Sequence, residues 1–277
     1  MVNYLKKNFK LDNRSVYLRN LIIDGLEGGM RGHIGSSMSL VEILRVLYDD
    51  ILHFNPKKTK LENRDRFILS KGHGCLALYS ILIDKGFFSE KYLKSFCKID
   101  SMLGGHPDYK IPGVETTTGS LGHGLSIGVG MAIALKIKKN KSKVYVVIGD
   151  GESNEGSIWE ALMSAYKNKL DNLIIILDHN NLQTYGSPFQ VAGLDKLKQK
   201  MISFGLITKE VNGHDVKGLK LALSKKKTSR PTMLICHTIK GKGISFAENN
   251  VNWHHKANLD SKTIESLRKS LNKPLII

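Results

Sequence analysis

The sequence predicts an α/β fold, with a doubly wound and mainly parallel sheet that carries helices on both faces. Residues 144–148 and 173–177 are unbroken apolar runs rich in branched side chains, which is typical of strands buried on both faces. Between them, residues 155–167 space their apolar side chains as a helix does. A strand, a helix and a strand form a βαβ unit, and its two strands are parallel.

Other segments continue this alternation. The apolar spacing predicts further elements, which are strands over 66–70, 206–211 and 232–238 and helices over 13–27, 71–86, 125–136, 194–203 and 216–225. Gly28 and Gly29 should end the first helix, and Ser39 with Glu42 should form a capping box at the start of a helix of its own. Because neither a linker nor an internal repeat interrupts the pattern, we expect residues 1–277 to form one domain.

The formal net charge of the 277 residues is +17. Such a charge is compatible with nucleic acid, an acidic partner or an anionic substrate. The lysines are spread over stretches such as 136–141 and 225–227 without interleaved aromatic residues or a nucleic-acid-binding module. We therefore expect a solvated lysine-rich surface and no nucleic-acid partner.

Cysteine spacing and hydropathy bear on the compartment. Cys75, Cys97 and Cys236 are far apart and form no CxxC pair, so neither a disulfide framework nor a zinc site is expected. No apolar run reaches the roughly 18 residues that a membrane span needs, and residues 1–10 do not resemble a signal peptide. The sequence therefore predicts a cytoplasmic protein that does not contact a membrane.

Polar residues follow both strands of the βαβ unit. Asp150 ends the first strand and Asn180 lies just past the second, and parallel geometry brings both to one edge of the sheet. Carboxylate, amide and main-chain oxygens suit magnesium or calcium, and Gly151 would let the backbone approach a phosphate group. Turn residues of these types are also common after parallel strands, so spacing alone leaves the two interpretations evenly balanced.

Several motifs resemble one enzyme family. In chain order they are RGHIG (31–35), LSKGHG (69–74), GHP (105–107), TTGSLG (117–122), GDGE (149–152), EG (155–156), NN (180–181) and WH (253–254). The GDG and NN pair resembles the thiamine-diphosphate motif. Together the segments resemble the diphosphate-binding half of transketolase over nearly the whole chain, which implies the thiamine-diphosphate-binding fold.

The resemblance implies a role for each matching residue. Asp150, Asn180 and the carbonyl of Leu182 would bind Mg²⁺ or Ca²⁺. The cofactor-binding set would comprise His73, Gly119, Leu121, Gly151, Glu152, Asn180 and His254. The catalytic histidines that line the substrate channel would be His33, His73, His106 and His254. Imidazoles suit this task, because they can donate to a carbonyl and accept from a hydroxyl near neutral pH.

Three further positions bear on how this chain uses the family's site. Glu155 matches a buried acid that the family uses where two subunits meet. Ser120 stands where many members have proline, and His123 stands where glutamine is common. We therefore expect the contacts near the aminopyrimidine ring to differ from the common pattern of the family.

Transketolases continue into a pyrimidine-binding domain, and this sequence ends at Ile277 without one. We therefore expect the N-terminal subunit of a split transketolase, completed by a separate pyrimidine-domain chain as a heterotetramer. The pair would move a two-carbon ketol unit from a ketose phosphate to an aldose. Two alternatives stay open, namely a transketolase-like pair that uses an activated sugar or another acceptor, and a non-catalytic basic binding protein that kept the fold.

Overall fold

The computed structural model describes residues 4–5, 9–224 and 228–272. The predicted basic stretch 225–227 and the end of the helix expected over 216–225 lie outside the described residues. In chain order the helices and strands are α1 (Asn13–Gly29), α2 (Ile34–Ser39), α3 (Val41–Val46), β1 (Arg66–Leu69), α4 (Cys75–Asp84), α5 (His123–Ile137), β2 (Val144–Gly149), α6 (Gly156–Lys167), β3 (Leu173–His179), α7 (Pro188–Ala192), α8 (Leu197–Ser203), β4 (Ile207–Asn212), α9 (Val216–Leu223), β5 (Thr232–His237) and α10 (Ser261–Asn272).

The strands form one parallel sheet in the order β1-β2-β3-β5-β4. In the register of β2 and β3, Val144 lies opposite Leu173 and Gly149 lies opposite Asp178. The predicted α/β class and the parallel βαβ unit are therefore confirmed. Every residue of β2 is buried, as the unbroken apolar run indicated.

Two hydrophobic clusters cover the two faces of the sheet. Alternate residues of β2 divide between them, because successive side chains of a strand point to opposite faces. Val147 faces the cluster built by α1 to α4, α9 and α10, whereas Val146 faces the cluster built by α5, α6 and α8. The carboxyl ends of the strands are left at one edge between these helical layers. In the part of the chain that the structure describes, no helix is long and apolar enough to cross a membrane.

One of the two predictions about helix ends is confirmed and the other is wrong. Helix α1 ends at Gly29, as predicted, although its left-handed cap residue is Met30, whose φ is 51°, and not a glycine. Gly28 permits close packing, since a β-carbon there would lie 2.0 Å from the carbonyl oxygen of Leu93. Ser39 forms no capping box. It ends α2 and donates to Asp178 over 2.7 Å.

Three helices in the second half of the chain differ from the sequence prediction. Helix α7 was missed, although Ser187 and Gln190 form a capping box around Pro188 at its start, a recognisable helix start. The helix expected over 194–203 begins only at Leu197. Helix α10 was also missed, although its buried apolar residues Ile264, Leu267 and Leu271 have helical spacing.

Candidate functional site

The site is built at the carboxyl edge of the sheet, where Asp150 follows β2. Its side chain is buried, with 3% of the residue exposed. Oδ1 accepts from the amide of Gly151 (2.8 Å), and Oδ2 accepts from the amide of Asn181 (2.5 Å) and lies 3.3 Å from Nδ1 of His179. These bonds join the ends of β2 and β3. The structure thus brings Asp150 beside the Asn180–Asn181 pair, as parallel strands were expected to do.

The other oxygen ligands expected for a metal come from the loop after β3. Asn180 accepts at Oδ1 from the amide of Leu182 over 3.2 Å, which keeps these two residues together. The carbonyl oxygen of Leu182 accepts from Nζ of Lys240 over 2.8 Å. One carboxylate, one amide and one main-chain carbonyl at a single edge are the hard oxygen donors that magnesium prefers. The residues present fit the expected ion.

Sequence reasoning missed Lys240. Its side chain lies in the loop after β5 and is 2% exposed. Burial and the nearby charge of Lys71 lower its pKa to about 8. The sequence marks only the loop, because Lys240 precedes Gly241 and follows a predicted strand at the same edge of the sheet. A cation in such a glycine-containing loop is suited to an anionic ligand.

Asp178 is a buried carboxylate that bonds several side chains at this edge of the sheet. It is fully buried and pairs with the ammonium of Lys71. It also accepts from Thr238, from Ser39 and, over 3.4 Å, from Nδ2 of Asn180. Burial raises the pKa of Asp178, but Lys71 and the hydroxyl donors outweigh burial and keep it below its usual value. The ionised Asp178 therefore fixes the amide orientation of Asn180.

The structure brings together the four histidines assigned to the channel. The ring of His33 lies 5.4 Å from that of His73, 6.0 Å from that of His106 and 5.5 Å from that of His254. His73 and His254 are 5.6 Å apart. A fifth ring, that of His255, lies 4.5 Å from His33 and was not predicted to take part.

The rings of this cluster are held neutral. Burial, followed by the charges of the neighbouring histidines, lowers the pKa of His33 to about 3. Burial and Lys240 lower the pKa of His254 to about 4, and burial with Lys71 lowers the pKa of His73 well below its usual value. Burial alone lowers the pKa of His106. At neutral pH each ring therefore offers one donor and one acceptor nitrogen.

Glu152 ties the 119–122 loop to the end of β2. It is buried, with 2% of the residue exposed, and its carboxylate accepts from the hydroxyl of Ser70 and from the amides of Gly122 (2.8 Å) and Gly149 (3.0 Å). Protein donors thus occupy both of its oxygens. Gly119 lies against the ring of His106, since a β-carbon on Gly119 would be 3.4 Å from that ring.

The remaining predicted residues in and after this loop are more exposed to solvent. Leu121 is partly exposed, and Ser120 and His123, where the chain departs from the common pattern, are both exposed at the start of α5. Neither of these two side chains forms a hydrogen bond or ion pair with another described residue. Glu155, at the start of α6, is also exposed.

Two buried nitrogen atoms at the site have no partner among the described residues. They are Nε2 of Gln183 and Nδ1 of His254. Gln183 packs against Gly151, where a β-carbon would lie 2.9 Å from its Cγ. A buried polar atom left unpaired costs about 1–3 kcal/mol, so these atoms are suited to a polar ligand. With Lys240, they make the edge fit a diphosphate group.

Comparison with known proteins identifies the family. The family model described as "Transketolase, thiamine diphosphate binding domain" matches residues 12–274. The chain is 40% identical over 264 residues to one of the apulose-4-phosphate transketolase subunits of Phocaeicola vulgatus, covering 94% of this chain and 93% of that protein. It is 36% identical over 253 residues to "6-deoxy-6-sulfo-D-fructose transketolase subunit SqwG" of a Clostridium species, covering 90% and 92%.

Longer transketolases match over part of their length. The chain is 40% identical over 227 residues to human transketolase and spans 36% of that protein. The crystal structure of transketolase from Campylobacter jejuni superposes with a TM-score of 0.87 at 34% identity, and covers 93% of this chain and 42% of that one. The chain belongs to the transketolase family and corresponds to its thiamine-diphosphate-binding domain.

Proposed function

We propose that this chain is the thiamine-diphosphate-binding and magnesium-binding subunit of a two-chain transketolase. Paired with a pyrimidine-domain subunit, it transfers a two-carbon ketol unit from a ketose phosphate to an aldose acceptor. The observation that carries the proposal is the packing of three histidine rings around a fourth, that of His33, beside the edge that presents Asp150 and Asn180.

In this proposal the oxygens of Asp150, Asn180 and Leu182 hold the metal ion. The ion would be Mg²⁺, with Ca²⁺ as a substitute, because all three donors are hard oxygens. Lys240, which already donates to Leu182, supplies positive charge beside the diphosphate. Gly151 lies at the same turn. Because glycine has no side chain, phosphate oxygens can approach its amide.

The cofactor supplies the ylide and the electron sink for ketol transfer. His73, His254 and Gln183 donate to its diphosphate end, since the last two carry buried nitrogens without a partner in the described structure. Gly119 and Leu121 belong to the loop that borders it, and Glu152 acts through that loop by holding Gly122. This refines the role expected for Glu152, because its oxygens are engaged by the protein.

The histidine cluster transfers protons to and from the sugar substrate. A neutral imidazole can accept the proton of a substrate hydroxyl and donate to a carbonyl oxygen. His33, His73, His106 and His254 lie close enough to surround one carbon chain. They therefore orient the ketose and move protons during bond cleavage and formation.

The partner subunit completes the enzyme. Relatives of similar length are named as single subunits of a transketolase, and the chain spans only 36% of human transketolase. We propose that residues 1–277 form one diphosphate-binding domain, and that a separate chain brings the pyrimidine-binding domain to make a heterotetramer.

Exposed Glu155 lies at the contact with that partner, and the net charge of +17 attracts an acidic partner and sugar phosphates. The three cysteines are free thiols, in keeping with the cytoplasm.

A second candidate is a pair that acts on a less common sugar. The names of two relatives, for apulose-4-phosphate and 6-deoxy-6-sulfo-D-fructose, favour a substrate of this kind. An activated sugar or another acceptor belongs to the same candidate. A non-catalytic binding role is disfavoured, because the metal-ligand set and the histidine cluster are both intact.

Reconstitution tests the main proposal. The chain should be co-expressed with a separate pyrimidine-domain transketolase subunit and supplied with thiamine diphosphate, magnesium and a ketose phosphate. We expect ketol transfer only from the mixture, and we expect Asp150→Ala to abolish cofactor binding measured by calorimetry. Asp195→Ala is the matched control, because Asp195 is exposed and pairs only with Lys200 in the described structure. Transfer by this chain alone, or full activity of Asp150→Ala, would contradict the proposal.

A further inference from the structure

His179, the last residue of β3, contacts the carboxylate of Asp150. Its Nδ1 lies 3.3 Å from Oδ2 of Asp150. Because an ionised carboxylate only accepts hydrogen bonds, Nδ1 carries the proton of the neutral imidazole and donates. Oδ2 also accepts from the amide of Asn181 over 2.5 Å, whereas among the described residues Oδ1 accepts only from the amide of Gly151, over 2.8 Å. The protein thus bonds Oδ2 twice and leaves more acceptor capacity on Oδ1.

A second histidine lies against the ring of His179. His237 is the residue of β5 that pairs with His179 in the parallel register, and paired residues of neighbouring strands project to the same face of a sheet. The two ring centroids are 5.2 Å apart, and the planes meet at 63°. Nε2 of His237 lies 3.0 Å from Oε1 of Glu210 on β4. Since this carboxylate accepts from Nε2, β4 fixes the orientation of His237.

Tyr4 packs on His237 as well. Its ring stacks on that of His237, with the centroids 4.5 Å apart and the planes 5° from parallel. The carbonyl oxygen of Tyr4 accepts from Nδ2 of Asn212 over 2.7 Å, which binds Tyr4 to the carboxyl end of β4. Tyr4 precedes residue 12, where the match to the family model begins. Contacts therefore run from a residue outside that match, through two histidine rings, to the carboxylate of Asp150.

We propose that His179 is a positioning residue for metal binding, which holds the carboxylate of Asp150 through the bond to Oδ2. The inference rests on the metal role proposed for Asp150 and goes beyond it by naming the side chain that keeps this ligand in one orientation. A carboxylate that is already oriented loses less conformational freedom when it binds an ion. Residues that hydrogen-bond to metal ligands commonly change metal affinity by about 10- to 100-fold.

Magnesium titration of the reconstituted two-chain protein tests this inference. Calorimetry measures the dissociation constant of Mg²⁺ in a fixed excess of thiamine diphosphate. His179→Leu and His179→Asn are the matched pair, because leucine and asparagine have the same shape and asparagine carries Nδ2 where histidine carries Nδ1. His179→Leu should bind Mg²⁺ about 10- to 100-fold more weakly, whereas His179→Asn should stay within about threefold of the unsubstituted protein.

Two further variants serve as controls. His53→Leu removes an exposed histidine that bonds the carbonyl of Asn63, and it should leave the dissociation constant of Mg²⁺ unchanged. His179→Ala is measured beside the leucine variant, because alanine is too small to clash with Asp150 or His237, and it should lose as much affinity as His179→Leu. Sedimentation checks that each variant still assembles with the partner chain.

The outcomes separate this inference from the proposed function. If His179→Leu and His179→Ala bind Mg²⁺ as tightly as the unsubstituted protein, the inference is overturned. An equal loss for His179→Leu and His179→Asn also overturns it, because the ring would then support the end of β3 by its bulk and not the carboxylate by its N–H group. If the unsubstituted protein does not bind Mg²⁺ together with the cofactor, the proposed function fails instead.

Discussion

Lys240 places its ammonium nitrogen 2.8 Å from the carbonyl oxygen of Leu182, the main-chain oxygen expected to bind the metal. Burial in this position lowers the pKa of Lys240 to about 8, so the chain keeps a partly desolvated cation at the edge of the sheet. An unpaired buried charge is costly, and an anionic ligand would offset that cost. The loop after β5 is thereby linked to the loop after β3.

The first prediction concerns this cation. Lys240→Met keeps the length of the side chain and removes its charge, so the reconstituted pair should bind thiamine diphosphate about 10- to 100-fold more weakly, the loss typical of a hydrogen bond to a charged group. Calorimetric titration with the cofactor and magnesium measures this effect. Lys262→Met, at an exposed position, should leave the dissociation constant unchanged. Equal affinities for the two variants would show that Lys240 does not serve the diphosphate.

The second prediction concerns the pH dependence of stability. The pKa of His33 is lowered to about 3 by burial, so the folded chain keeps this ring neutral while the unfolded chain protonates it below about pH 6.5. The unfolded state then binds more protons, and the free energy of unfolding should fall as the pH drops from 7 to 5. Each such ring contributes up to about 1.4 kcal/mol per pH unit.

Urea unfolding of the isolated chain at pH 7, 6 and 5 measures this slope. His33→Gln removes one titrating group and should make the slope shallower by up to one proton. His53→Gln is the control, because His53 is exposed. A slope that His33→Gln leaves unchanged would contradict a neutral His33 in the folded state.

The third prediction concerns a buried ion pair under the site. Arg19 bonds both oxygens of Glu42, over 2.6 and 3.0 Å, and Nδ1 of His214 lies 2.8 Å from Oε2. Nε2 of His214 accepts from the amide of Ile239 over 2.9 Å, so Nδ1 carries the proton and donates to Glu42. Glu42→Gln would leave Arg19 buried without its countercharge and should lower the free energy of unfolding by about 3–5 kcal/mol.

Urea unfolding at pH 7 tests this prediction. Glu265→Gln breaks an exposed pair with Lys269 and should change stability by less than about 1 kcal/mol. A loss for Glu42→Gln no larger than that of the exposed control would show that water or another group compensates Arg19.

The sequence predicted the elements whose signals are local. The strands at 144–149 and 173–179 follow from unbroken apolar runs. Their parallel pairing brought Asp150 and Asn180 to one edge of the sheet, as expected, although Asp150 bonds to the amide of Asn181. The histidine cluster was anticipated only through the family resemblance, because His33 and His254 are far apart in the chain and no periodicity relates them. Ser39 and Glu42 were misassigned, since each finds a stronger partner in Asp178 and Arg19 than in the helix start between them.

Other residues depend on how loops approach each other. Gln183 belongs to the site because it packs on Gly151. Lys240 belongs to it because its side chain reaches the carbonyl of Leu182. Neither contact has a sequence signal of its own, although the glycine beside Lys240 marked that loop. Helix α7 is different, because the capping box of Ser187 and Gln190 is a local signal that the sequence does carry.

The last prediction uses two glycines of α5 that differ only in their surroundings. A β-carbon on Gly128 would lie 2.5 Å from Cγ2 of Val146, whereas one on Gly130 would meet no atom within 4 Å. Gly130→Ala should therefore raise the free energy of unfolding of the isolated chain by about 0.4–1 kcal/mol, because alanine favours the helix and restricts the unfolded chain. Gly128→Ala gains the same propensity but forces α5 away from β2, so it should be destabilising by about 1–3 kcal/mol. Urea unfolding measures the free energy of unfolding of both variants. If Gly128→Ala is as stable as Gly130→Ala, the helix can shift without cost.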